Sequence, residues 1–140
     1  MPGIKPRVSI NSIRAGLRPL FEDETLRLVI LFGSVAAGTS HGQSDIDLGF
    51  LFEGPVDILA LTNRVTRLLG ADNVDVVDLG RASPLLRFAA ARTGKVVHEK
   101  EKGMYNAFYS LAFRMYIDTA KLREAQRTAL RKFLESREPS

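Results

Sequence analysis

Two aspartates separated by one residue, Asp45 and Asp47, stand ten residues beyond a Gly33-Ser34 pair. On an extended chain, side chains alternate, so these two carboxylates share a side and lie about 7 Å apart. Charges that close repel unless something positive sits between them. Mg2+ is the natural choice, a hard ion held by a few carboxylates together with substrate phosphates. Gly33 lets the backbone come close to a ligand, and free N–H groups at a helix start favour phosphate. The Ser34 hydroxyl can donate to a phosphate oxygen. Carboxylates with metal beside a phosphate cradle are the parts needed for phosphoryl or nucleotidyl transfer by two metal ions. A third acid, Asp75, follows about thirty residues on. Taken singly, an Asp-x-Asp is commonly a solvated strand end and a Gly-Ser commonly a turn. The specificity lies in their conjunction and spacing.

The surrounding elements must put these residues together. Residues 26–32, LRLVILF, are short, apolar and β-branched, and read as a buried strand ending at Gly33. Residues 33–44 read as a loop with room for one helical turn. Residues 46–52, IDLGFLF, form a second strand with Ile46 turned to the core, and residues 73–79, NVDVVDL, a third. Asp75, Val77 and Leu79 share one face of it; Val74, Val76 and Asp78 share the other, with Asp78 at the surface or capping the next loop. If strand three neighbours strand two, Asp75 completes a triad with Asp45 and Asp47.

Ile13, Leu17 and Leu20 recur at helical spacing, predicting a helix over about 10–21, with Glu22-Asp23-Glu24 as the loop after it. Pro55 opens a helix to about Leu69 that Gly70 stops, with Ile58, Leu61 or Thr62, Val65, Leu68 and Leu69 on its apolar side. Ser83-Pro84 is a cap and first-turn start for a short helix ending at Gly94. Residues 95–99 are a fourth strand or an extended tail. From Lys102 to Arg137 there is no proline and only Gly103, which predicts one long helix or two stacked ones. Its stripe (Tyr105, Phe108, Ala112, Met115, Thr119, Leu122, then Ala125, Ala129, Phe133) reads as core. A helix that long cannot all lie on a four-strand domain, so its far end is a candidate partner surface. The expected division is residues 1–100 and a helical extension over 101–140 packed on them as one unit.

Composition narrows the function classes. The chain has 140 residues, 45% apolar and 26% charged, which excludes a disordered protein. It has no cysteine, so disulfides, zinc–thiolate sites and a cysteine nucleophile are out. Its two histidines, His41 and His98, cannot build a multi-histidine site; His41, in the loop that follows the Gly-Ser pair, reads as a solvated loop residue that could touch phosphate. The longest apolar run, Leu28 to Phe32, spans no membrane, and the N-terminus has no apolar signal core, so a cytoplasmic protein is expected. Net charge is +2 over residues 1–30, −5 over 31–80 and +7 over 81–140. An acidic middle between basic ends suits a cation site with phosphates nearby.

Phe32-Gly33-Ser34 with Ser44-Asp45-Ile46-Asp47-Leu48 resembles the GS-x10-DxD signature of the DNA polymerase beta-like nucleotidyltransferase superfamily. Small size and layout resemble its minimal nucleotidyltransferase (MNT) branch, including the MntA-type antitoxins of HEPT/MNT toxin–antitoxin pairs. The strand Val74-Asp75-Val76-Val77-Asp78-Leu79 is similar to the third-carboxylate position. The stretch Ala91-Arg92-Thr93-Gly94-Lys95-Val96-Val97 is similar to the family's segment after the helix. The resemblance covers roughly residues 27–98 and the last third loosely. It implies an α/β (α+β) fold: a mixed sheet of about four strands with helices on one side, plus long C-terminal helices. It also implies that Asp45 and Asp47 bind Mg2+, two ions in all, against the triphosphate of ATP or another NTP. Asp75 would complete the metal site and help deprotonate the acceptor. Gly33, Ser34 and Ser44 would hold the nucleotide.

In the MNT branch the implied activity is transfer of AMP from ATP to a tyrosine of a HEPT-type toxin, with pyrophosphate released. One departure stands out: relatives carry arginine in a GS-x-A-R-G pattern, and here Ala37 replaces it. Arg81, Arg87, Arg92 or Lys95 would have to supply that phosphate contact. Two alternatives remain: a non-catalytic antitoxin that neutralises its partner by contact, and nucleotidyl transfer to RNA or a small molecule. The basic C-terminal part permits RNA contact, but no nucleic-acid motif or stacking aromatic platform stands out. A homo- or hetero-oligomer suits the long helix.

Overall fold

The computed structural model describes residues 9–33 and 45–137. Its order is α1 (Ile10–Phe21), β1 (Leu26–Phe32), β2 (Ile46–Phe52), α2 (Ile58–Leu69), β3 (Val74–Asp78), α3 (Pro84–Thr93), β4 (Lys95–Glu99), α4 (Met104–Asp118) and α5 (Ala120–Ser136). The four strands form one mixed sheet in the order β3-β2-β1-β4. β1 is antiparallel to both neighbours, while β2 and β3 run parallel. The parallel pair needs a crossover, and α2 provides it.

Caps fix where the helices start. Ser9 and Ser12 form a reciprocal capping box on α1. The Ser83 hydroxyl accepts from the Leu86 N–H at 3.2 Å, with Pro84 in the first turn, as the sequence predicts for α3. α2 begins later than expected. The Asp57 carboxylate accepts from the Ala60 N–H at 3.1 Å, so Asp57, not Pro55, sets the boundary. Gly70 ends α2 in the left-handed region at φ 62°.

The sheet is covered on both faces, not one, because β1 alternates apolar residues to each side. Val29 and Leu31 join Leu48 and Phe50 of β2 against Ile13, Leu17 and Leu20 of α1 and Leu61 and Val65 of α2. Leu28, Ile30 and Phe32 face the other way, against Leu79, Ala90 and Ala91 of α3, and Phe108 and Ala112 of α4. Ile58, expected on the apolar side of α2, is exposed.

The C-terminal stretch is two helices joined through Thr119, whose N–H donates to Met115 and whose carbonyl accepts from Arg123. α4 packs on α3, β1 and β4 and meets α5. Tyr105 at its start donates its hydroxyl to the Ala91 carbonyl at 2.7 Å, tying α4 to the end of α3. The core stripe stops there: α5 buries no residue, and Leu122 and Phe133 are exposed. Among the described residues no helix is long and apolar enough to cross a membrane.

Candidate active site

The acidic residues meet at one end of the sheet. β1 ends at Phe32, whose register partner is Asp47, near the start of β2. Asp47 is in turn the register partner of Asp75, near the start of β3. Strand three therefore does neighbour strand two. Alternation puts Asp75 on the face of Val77 and Leu79, and Asp47 with it, on the side that α3 and α4 cover. Gly49, two residues along from Asp47, has no side chain because Leu79 fills the space: a Cβ there would lie 2.9 Å from the Leu79 side chain.

Asp47 is half-buried, and Asp45 and Asp75 are exposed. Burial pushes the Asp47 carboxyl above the ordinary carboxylate range, because the charged form loses water. The negative charges of Asp75 and then Asp45 push it further, and a hydrogen bond with Asp75 adds to the shift. Among the described residues, the one ion pair joins Arg127 to Glu124 on α5, so no basic side chain pairs with these acids.

Repelling oxygen donors with no paired base suit a hard divalent cation. Among the described residues no three acidic or histidine side chains close into a ready-made cage. Mg2+ keeps several waters and takes substrate phosphate oxygens beside one or two carboxylates, so it needs no such cage.

Gly33 has a role that sequence reasoning missed. Its φ is 78°, a conformation that side chains rarely adopt, and a Cβ there would collide with the Asp47 carboxylate. The glycine that was expected to approach phosphate also makes room for Asp47. The signal was the Phe32–Asp47 register, which brings the residue after Phe32 alongside. Ser34, Ala37, His41 and Ser44 lie outside the described residues.

The four candidate bases separate. Arg81 follows β3, at the opposite end from Asp75, and Arg87 donates to the Gly80 carbonyl at 2.8 Å, which commits it there. Lys95 pairs with Leu31 and so lies at the site's end of the sheet, but on Leu31's face, opposite Asp47. Arg92, exposed in the last turn of α3, is at the site's end on a helix that covers the site's face.

A family model described as polymerase beta, nucleotidyltransferase matches residues 17–103. A protein named protein adenylyltransferase MntA, from Aphanizomenon flos-aquae, is 27% identical over 126 residues, 81% of this chain and 82% of the relative. A solved toxin–antitoxin structure with AMP-PNP superposes with a TM-score of 0.74 at 28% identity, covering 88% of this chain and 98% of the other. A solved MntA–HepT toxin–antitoxin structure gives 0.67 at 27% identity, covering 86% and 95%. The relatives are thus protein adenylyltransferases and members of toxin–antitoxin pairs. The chain belongs to the polymerase beta nucleotidyltransferase family and is a nucleotidyltransferase.

Proposed function

We propose that this protein is an Mg2+-dependent protein adenylyltransferase that silences a HepT-type toxin in the cytoplasm. It would move AMP from ATP to a tyrosine hydroxyl of the toxin and release pyrophosphate. The observation that carries the reading is the side-by-side register of Asp47 and Asp75, with Asp45 close enough for its charge to raise Asp47. The MntA name of the relative and the AMP-PNP in a neighbour's complex support the nucleotide and the acceptor class.

In this reading Asp45 and Asp47 hold the metal, two ions with Asp75 completing the set. Gly33, Ser34 and Ser44 hold the phosphates. The metal supplies charge neutralisation on the triphosphate. Asp75, exposed at the rim, takes the acceptor's proton. The acceptor oxygen then bonds to the α-phosphorus in line, the bond to the β-phosphate oxygen breaks, and pyrophosphate leaves. The chain itself contributes positioning and electrostatics rather than covalent chemistry.

The test is pyrophosphate release on mixing the protein, Mg2+, ATP and the product of the adjacent gene, the HepT-type protein under this reading. Release should require all four and be lost in the Asp45→Ala, Asp47→Ala double variant. Undiminished release by that variant would refute the mechanism.

A second reading, neutralisation by contact alone, draws on Ala37 in place of the family's arginine and on the exposed apolar residues of α4 and α5. It predicts that the double variant still neutralises the toxin.

A further inference from the structure

We propose that the outward face of α4 and α5 is the docking surface for the acceptor protein, which presents to it an amphipathic helix with acidic flanks. This deepens the reading above and rests on it for the existence of a protein acceptor.

Of the large hydrophobic side chains left exposed among the described residues, most are on these two helices. Phe113 and Ile117 on α4 are 49% and 52% exposed, and Leu122, Leu130 and Phe133 on α5 are 58%, 58% and 51% exposed. Apolar residues concentrated in this way mark interaction surfaces rather than solvent-facing scatter. α5 has 17 residues and buries none. A lone helix of that length is marginal in water, so a cover is needed to repay its ordering.

The structure already orders part of it. The Tyr116 ring is stacked on Phe88 of α3 with centroids 4.4 Å apart, and the Arg123 guanidinium lies over the Tyr116 ring, 4.1 Å from its centroid. Arg123 also donates to the Tyr116 carbonyl at 2.8 Å and to the Thr119 hydroxyl. These contacts pin the start of α5 to the body, so less entropy is lost when the face is covered.

Shape and charge name the occupant. Ala125, Thr128 and Ala129 line an open, shallow surface of about 520 Å3 along α5, with Lys121, Lys132 and one acid, Glu124, around them. A floor of small residues at helical spacing accepts a ridge of side chains from a crossing helix. Residues 120–137 carry six bases and two acids, a net +4. A second copy would set +4 against +4 in a two-fold contact, which charge repulsion opposes. An acidic helix satisfies both the apolar stripe and its basic flanks. Nucleic acid would leave Leu130 and Phe133 uncovered.

The experiment is calorimetric titration of the full chain with the product of the adjacent gene, without ATP. Two variants are compared with wild type: Leu130→Glu with Phe133→Glu, and Lys121→Glu with Lys132→Glu. All four positions are exposed, and the second pair leaves the apolar stripe intact. Both variants should bind the partner at least about tenfold more weakly, as interface anchors do, with ATP binding unchanged. Wild-type affinity in both variants would overturn the proposal. So would no binding by wild type, a wild-type homodimer that the variants dissociate, or tighter binding to phosphatidylserine vesicles or RNA than to the partner. Because ATP is absent, the docking result is independent of transfer: a complex lost in the variants supports the surface even if AMP never moves.

Discussion

The backbone of Gly33 passes so close to Asp47 that a Cβ on the glycine would occupy the space of the aspartate's carboxylate. Two pieces of a motif ten residues apart are therefore one steric unit, joined by the β1–β2 register.

Gly33→Ala tests that unit. The new methyl must displace the Asp47 carboxylate and adopt a positive φ. A displacement of this kind should lower nucleotidyl transfer by about 100-fold. The strained backbone should cost about 1–3 kcal/mol of stability. Transfer kinetics and a thermal melt read the two effects separately; wild-type transfer would show that Asp47 need not sit where it does.

Asp47 predicts a pH dependence with a definite sign. Its folded pKa is raised, by burial first and by its acidic neighbours next, so the fold holds this proton more tightly than the unfolded chain. Stability from this group therefore falls as pH rises from the ordinary carboxylate pKa through the raised folded value, and the penalty is complete above it. Without metal, Asp47→Asn should melt higher than wild type at neutral pH, with the difference vanishing in acid. Mg2+ should stabilise wild type, with proton release at a pH inside that window, and do neither for Asp47→Asn. Thermal melts across pH, with and without Mg2+, decide this.

Arg123→Ala removes the guanidinium over Tyr116 and its bonds to Tyr116 and Thr119. Helical circular dichroism should fall as α5 frays, and partner affinity should drop by about tenfold, on the scale of ~1–2 kcal/mol for a cation–π contact with its hydrogen bonds. ATP binding should not change. Arg123→Lys should rescue little, since an ammonium cannot reproduce the planar stack.

Gly94→Ala probes packing near the site. A Cβ there would collide with the Ala90 carbonyl and the Ile30 side chain. The overpacking should cost about 1–3 kcal/mol, read as a lower denaturation midpoint. Because the Gly94 carbonyl also accepts from the Tyr105 hydroxyl at 3.3 Å, the start of α4 should loosen with it.

Much of this was legible in the chain. β1 and β2 carry the expected bounds because both are short, apolar-rich stretches set between punctuating residues, the charged loop and Gly33 for β1 and Asp45 and Gly54-Pro55 for β2. The Ser83 cap and the stop at Gly70 were legible from local chemistry. What escaped depends on contacts distant in sequence. The joint at Thr119 has no proline or glycine to mark it; the Tyr116–Phe88 stack and Arg123 set it. Helical periodicity placed Leu122 and Phe133 on the stripe of Phe108, but periodicity says which residues share a face, not what covers it. The burial of both sheet faces follows from where α3 lands, and the commitment of Arg87 to Gly80 from how β3 ends. Neither is written in spacing.

The most direct measurement is the intact mass of the partner protein after incubation with this protein, Mg2+ and ATP. The account predicts a gain of one or more AMP units on tyrosine, absent with the Asp45→Ala, Asp47→Ala variant and absent without Mg2+. An unmodified partner that nevertheless co-purifies and is neutralised, or an AMP gain that survives loss of both aspartates, would contradict it.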